Sequence, residues 1–147
     1  MIPVEQRLQF DEGTGERGDC LKCCMASLLE LDYDDVPHFA SMGEMWWIEW
    51  TNWLAGRGWM LYNAWFSVAD DDPTRLTGYT QGYWLASVTS RRTRKDGSSI
   101  SHMILMHDGE VAWDPHPLRD QGHLGFTEGQ ILAPLDPARF VLREATS

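Results

Sequence analysis

Long hydrophobic runs are missing from these 147 residues. No stretch approaches the ~18 consecutive apolar residues that a membrane-crossing helix requires. The opening MIPVEQRLQF holds neither a basic cluster nor a hydrophobic segment of the secretory kind, so a cytoplasmic chain with reduced thiols is expected. Bases are scarce: 12 lysines and arginines stand against 22 acids, a formal charge of −10. A field of that sign repels phosphate backbones, so neither nucleic acid nor a membrane is an expected partner. Repeats and low-complexity tracts are absent, and the length suits one domain over 1–147. Cysteine is rare as well. Of the three present, Cys23 and Cys24 are adjacent, which suits no disulfide framework.

What is there begins at GERGDCLKCCMASLLEL, residues 15–31. Leu21, Cys24, Met25, Leu28 and Leu29 recur at the spacing of a helix with one buried face. Asp19 is the expected N-cap, and Gly18 lets the chain turn before it. Cys20 then falls in the first helical turn, where backbone dipoles and free N–H groups favour thiolate over thiol. Cys23 and Cys24 lie deeper and read as packing. VEQRLQF (4–10) reads as a short strand and DYDDVPHF as the break after the helix. A second helix is expected from about Gly43 to Ala55, closed by GRG at 56–58. Strands are expected over 59–68 and 82–90, with loops at ADDDPTRLTG and RRTRKDGSS, and PLDPARF reads as a turn before a last strand. The outline is α+β, with N-terminal helices packed on an antiparallel sheet.

SHMILMH and EVAWD, joined at Asp108-Gly109, form the clearest hairpin. A two-residue turn would pair His107 with Glu110. A three-residue turn with a bulge would pair Met106 with Glu110 instead, gathering Met103, Leu105, Val111 and Trp113 on one apolar face. The second register is preferred. It sets His102 opposite Asp114, close enough for a carboxylate to orient an imidazole.

Cys20, His102 and Asp114 thus make a nucleophile, a general base and an orienting acid. In that order, with GDCLKCCMASLLEL, VPHF, SHMILMHDGEVAWDPHP and GHLGF, the chain resembles the papain-like cysteine peptidase superfamily. The likeness is to small bacterial and phage proteins akin to bacteriocin-processing double-glycine peptidases. It implies a papain-like fold and thiol hydrolase or acyl-transfer chemistry on an amide, isopeptide or thioester of a peptide, protein or small amide, with no cofactor and no metal. Those peptidases carry a glutamine shortly before the cysteine, whose amide helps to hold the oxyanion. Thr14 stands at that spacing here, so Gln6 is expected to substitute, with Gln9 as the other choice and the Cys20 N–H as second donor.

Other readings stay open. His116, between two prolines, is the reserve base. Cys20, Cys24 and two histidines are conceivable zinc ligands, although paired Cys-x-x-Cys modules are absent. Trp46, Trp50 and Trp53 recur at core spacing, but with Trp47 they make the second helix apolar nearly all round, so a protein partner on that helix is the non-enzymatic alternative. Trp84 is a candidate to flank the cleft. Asp70, Asp71 and Asp72 lack the ligand spacing of a calcium loop and read as a solvated turn. RRTRK (91–95) is the sole basic cluster, placed to draw an acidic substrate or partner.

Overall fold

The apolar spacing that starts at Cys20 folds into helix α1 (Cys20–Leu29), which buries Leu21, Cys24 and Met25. It ends where Glu30 takes a left-handed conformation, φ 56°, and Leu31 N–H bonds back to the Ala26 carbonyl. These elements belong to a computed structural model that describes residues 1–66, 81–136 and 138. The ADDDPTRLTG loop, its three acids and the end of the tail lie outside the described residues. The second helix starts later than expected: Gly43–Met45 form a 3₁₀ turn, and α2 covers Trp46–Ala55. Among the described residues no helix is long and apolar enough to cross a membrane.

Five strands follow: β1 (Trp59–Phe66), β2 (Tyr83–Thr93), β3 (Ser99–His107), β4 (Glu110–Trp113) and β5 (His123–Pro134). They form one antiparallel sheet in the order β1-β5-β2-β3-β4, so the architecture is α+β. Strand β5 was not legible as a strand from HLGFTEGQILAP, where two glycines and Thr127-Glu128 interrupt the alternation, yet it fills the gap between β1 and β2. Alternation along β2 and β3 divides the core. Leu85, Met103 and Leu105 pack with Leu21, Met25, Trp50 and Leu54 of the helices. Trp84, Ala86, Val88, Ile104 and Met106 form a second buried cluster on the other face.

The hairpin turn corrects the expected register. Asp108 and Gly109 both take left-handed conformations, φ 50° and 81°, and close a two-residue turn that pairs His107 with Glu110. The Asp108 carboxylate accepts the Gly82 N–H at 2.8 Å, which helps to hold a non-glycine residue in that conformation. A bulge follows two pairs later. Met106 faces Val111, but Leu105 faces Trp113, so Ala112 is the extra residue. The bulge returns Trp113 to the helix-side core, while Val111, expected on the apolar face, is 49% exposed.

The N-terminal segment is not a strand. Its N–H groups find scattered partners instead of a ladder: Ile2 and Val4 bond to Ser27, Gln6 to the Pro115 carbonyl and Arg7 to Asp19. It straps the start of α1 to the turn that follows β4.

Candidate active site

Cys20 opens α1 and is the one half-buried thiol among three free cysteines. Asp19 occupies the N-cap position but makes no side-chain cap, contrary to expectation. Its Oδ2 is drawn sideways, accepting the Arg7 N–H at 3.3 Å and the Tyr33 hydroxyl at 2.5 Å. The N–H groups of the first turn are thereby left without a side-chain acceptor, and that of Cys20 has no intrahelical partner by geometry. Gly18 is needed for close approach: a Cβ there would lie 3.1 Å from Gln6 Nε2 and 3.3 Å from Phe10 N.

The other two thiols are fully buried, as the packing reading expected. Cys24 Sγ donates to the Met103 carbonyl at 3.5 Å, and Cys23 Sγ to the Glu5 carbonyl at 3.5 Å. Burial, reinforced by the Asp19 charge, pushes the Cys23 thiol up to about 12. Burial also holds Cys24 well above the ordinary thiol range, so both stay protonated and inert.

Helix α1 packs on β3, which brings His102 to Cys20. The imidazole lines the same hollows as the Cys20 side chain, and its Nε2 lies 2.7 Å from Asp114 Oδ1. With Nε2 donating to the carboxylate, Nδ1 is the nitrogen left for the sulfur. Burial works to lower the affinity of His102 for its proton. The hydrogen bonds and charges of Asp114 and Cys20 outweigh it and carry the imidazole up to about 9. For Asp114, burial disfavours the charged form, but the His102 hydrogen bond, the His116 N–H and nearby positive charge win, and the carboxyl titrates below its ordinary range.

The contact does not arise as a directly opposed strand pair. Continuing the observed register would set Asp114 across from Ile104, but β4 ends at Trp113. The chain then turns through DPHP, and the freed carboxylate reaches His102. Asp114 Oδ1 also accepts the His116 N–H at 2.9 Å, an Asx-type closure that fixes the carboxylate. Arg119 Nε donates to the Asp114 carbonyl at 3.1 Å and its guanidinium lies over Trp113, whose Nε1 donates to the Val4 carbonyl at 3.0 Å.

His116 is committed elsewhere. Its Nδ1 accepts the Leu118 N–H at 2.9 Å, and its ring stands edge-on to His102 with centroids 5.9 Å apart. Burial, with Arg92 and His102 adding positive charge, holds it below the usual imidazole range. It lines neither of the two hollows at Cys20, so His102 is the ring between sulfur and carboxylate.

Gln6 comes to the same place. Its backbone N–H is anchored on the Pro115 carbonyl at 2.8 Å, and its side chain is buried beside Gly18. One amide hydrogen goes to the Leu8 carbonyl at 3.0 Å, and the second is uncommitted. Gln9 is exposed and lines a separate hollow with Glu12 and Lys95. The strap over the helix start is what carries Gln6, and not Gln9 or Thr14, to the sulfur; no local pattern in the sequence marks it.

Two hollows meet at Cys20 and His102. The larger, about 710 Å³, is lined by Leu21, Trp46, Ser87 and Met103, with Glu44 and Arg17 at its polar edge. The smaller, about 150 Å³, lies toward Gln6 and Gly18. Trp46, 37% exposed, faces the larger cleft, whereas Trp50 is core. Trp84 does not flank either: it is buried against Phe126 in the second cluster. His123 begins β5 against Phe126, and His107 packs on Tyr83. Among the described residues no three His, Cys, Asp or Glu side chains gather as a metal site, and Cys24 is turned away onto Met103. Comparison with protein-family models, curated proteins and solved structures found no match to this chain.

Proposed function

We propose that the chain is a papain-like thiol hydrolase or acyl-transferase. The observation that carries this reading is the convergence of a half-buried thiol, an imidazole and a carboxylate at the wall of an open cleft. Cys20 Sγ, its proton already held by His102, attacks the carbonyl carbon of an amide, isopeptide or thioester. The carbonyl oxygen, now an oxyanion, accepts from the Cys20 N–H and from the free hydrogen of Gln6 Nε2. As the carbon–nitrogen or carbon–sulfur bond breaks, His102 gives its proton to the leaving group, and the acyl group remains on Cys20. Water or an amine then attacks the thioester and passes its proton to His102; the acyl carbon–sulfur bond breaks, and Cys20 Sγ is released beside the protonated imidazole. Asp114 holds the ring with one nitrogen toward the sulfur throughout and stabilises the imidazolium.

A panel of fluorogenic amide, isopeptide and thioester substrates, read with intact-mass analysis, tests the reading. Turnover that disappears in Cys20→Ala, with an acyl adduct on Cys20 of the parent protein, is the expected result. Failure of every activated acyl donor to leave an adduct on Cys20 would overturn it.

A second reading has one observation in its favour. Met45, Trp46 and Ile48 are 50%, 37% and 48% exposed along the start of α2, an apolar face that suits a protein partner. On that reading the thiol is idle.

A further inference from the structure

The chain is strongly acidic, yet the small hollow beside Cys20 is lined by three of its 12 bases, Arg17, Arg92 and Arg94, together with Gln6 and His102. No carboxylate lines it. Among the described residues neither Arg17 nor Arg92 forms an ion pair. Arg94 is held in place: its guanidinium bonds Ser98 Oγ and the Ser99 carbonyl and lies over the Phe10 ring. The end of β2 and the turn after it, which carry Arg92 and Arg94, are tied to the N-terminal loop that carries Arg17: Lys95 N–H donates to Glu12 at 2.9 Å. A concentration of positive charge against the prevailing field, in a recess at the sulfur, is the arrangement expected of an anion subsite.

We infer that this recess binds a carboxylate of the substrate next to the bond that Cys20 attacks. The inference rests on the thiol-hydrolase reading and adds the substrate's charge to it. A volume of about 150 Å³ admits one short acidic side chain or a chain terminus. Guanidinium forks match the planar two-oxygen geometry of a carboxylate. Two sources supply that group: a glutamate or aspartate side chain, or a free C-terminal carboxylate.

Two alkylating agents that differ only in this group give the test. Iodoacetate and iodoacetamide each form a carbon–sulfur bond to the thiolate and release iodide, but only the first carries a carboxylate. The ratio of their rates at Cys20, mapped by peptide mass spectrometry, is compared with the ratio for glutathione in the same buffer. The protein's net charge alone would disfavour iodoacetate. The inference expects the ratio to exceed that of glutathione at least fivefold, and to fall severalfold in Arg92→Gln, in Arg17→Gln and in high salt. It should be unchanged in Arg57→Gln, whose side chain lies over Trp53.

Protection of Cys20 against iodoacetamide then assigns the source. Acetyl-Gly-Glu amide carries only the side-chain carboxylate, acetyl-Gly-Gly acid only the terminal one, and acetyl-Gly-Gly amide neither. Selective protection by one acid names it. Labelling by both reagents at the glutathione ratio, or protection by neither acid above the neutral amide, overturns the carboxylate subsite while leaving the thiol reading intact. A Cys20 unreactive toward both reagents removes the thiol reading and the subsite with it.

Discussion

The buried His102–Asp114 pair makes stability depend on pH in a defined window. In the folded chain the His102 imidazole is carried from an ordinary 6.5 up to about 9. The folded state therefore holds a proton that the unfolded state releases across that interval. This contribution is fully present below about pH 6.5 and is lost as pH rises through about 9. Its full size is about 3 kcal/mol, and within the window stability should fall by about 1.4 kcal/mol per pH unit. The shifted histidines and thiols elsewhere act outside the interval. His116 and His123 are held below the usual imidazole range, so their contributions are lost only as pH drops below about 6.5. The buried thiols of Cys23 and Cys24 are raised, so their contributions are lost only as pH climbs above about 9. Urea unfolding between pH 6.5 and 8.5, compared with His102→Gln, isolates the imidazole. The parent protein is expected to lose about 2–3 kcal/mol more than the variant over that range. Equal slopes for the two proteins would refute the reasoning, because the ring would then carry no proton beyond its unfolded share.

Three further outcomes follow from the same contacts. Asp114→Asn removes the charge behind His102, and acylation of Cys20 should slow by about 10²- to 10⁴-fold with the fold retained, read by activated-ester burst kinetics and circular dichroism. Gly18→Ala places a methyl 3.1 Å from Gln6 Nε2 and should lower kcat by about tenfold or more, with a stability loss of about 1–3 kcal/mol by urea melt. Cys24→Ala empties a fully buried thiol site on the Met103 carbonyl and should cost about 1–2 kcal/mol of stability without abolishing turnover.

The helix at Cys20, the α+β outline and the hairpin at Asp108-Gly109 were legible because each rests on short-range pattern: apolar spacing, turn chemistry and alternation. Register was not. The sequence pattern favoured a three-residue turn, whereas the left-handed Asp108 allows a tighter one, and the bulge at Ala112 restores the facing of Trp113. His102 and Asp114 were nominated as an opposed strand pair and meet instead through the departing DPHP turn. Neither the bulge nor the departure has a local signature, since each is decided by where Trp113 and Pro115 find partners on the N-terminal strap. The strap itself reads as a strand by alternation, but its N–H groups are claimed by Ser27, Pro115 and Asp19, which are distant in sequence. Asp19 failed as a cap for the same reason: Tyr33 and Arg7 offered its carboxylate hydrogen bonds that no helical pattern reveals.

The most direct test of the proposed chemistry is a map of iodoacetamide labelling across the three thiols at about pH 6.5. Cys20 is expected to alkylate at least tenfold faster than Cys23 or Cys24, and to lose that advantage in His102→Ala. Three equally sluggish thiols, or a Cys20 rate indifferent to the loss of the imidazole, would contradict the account.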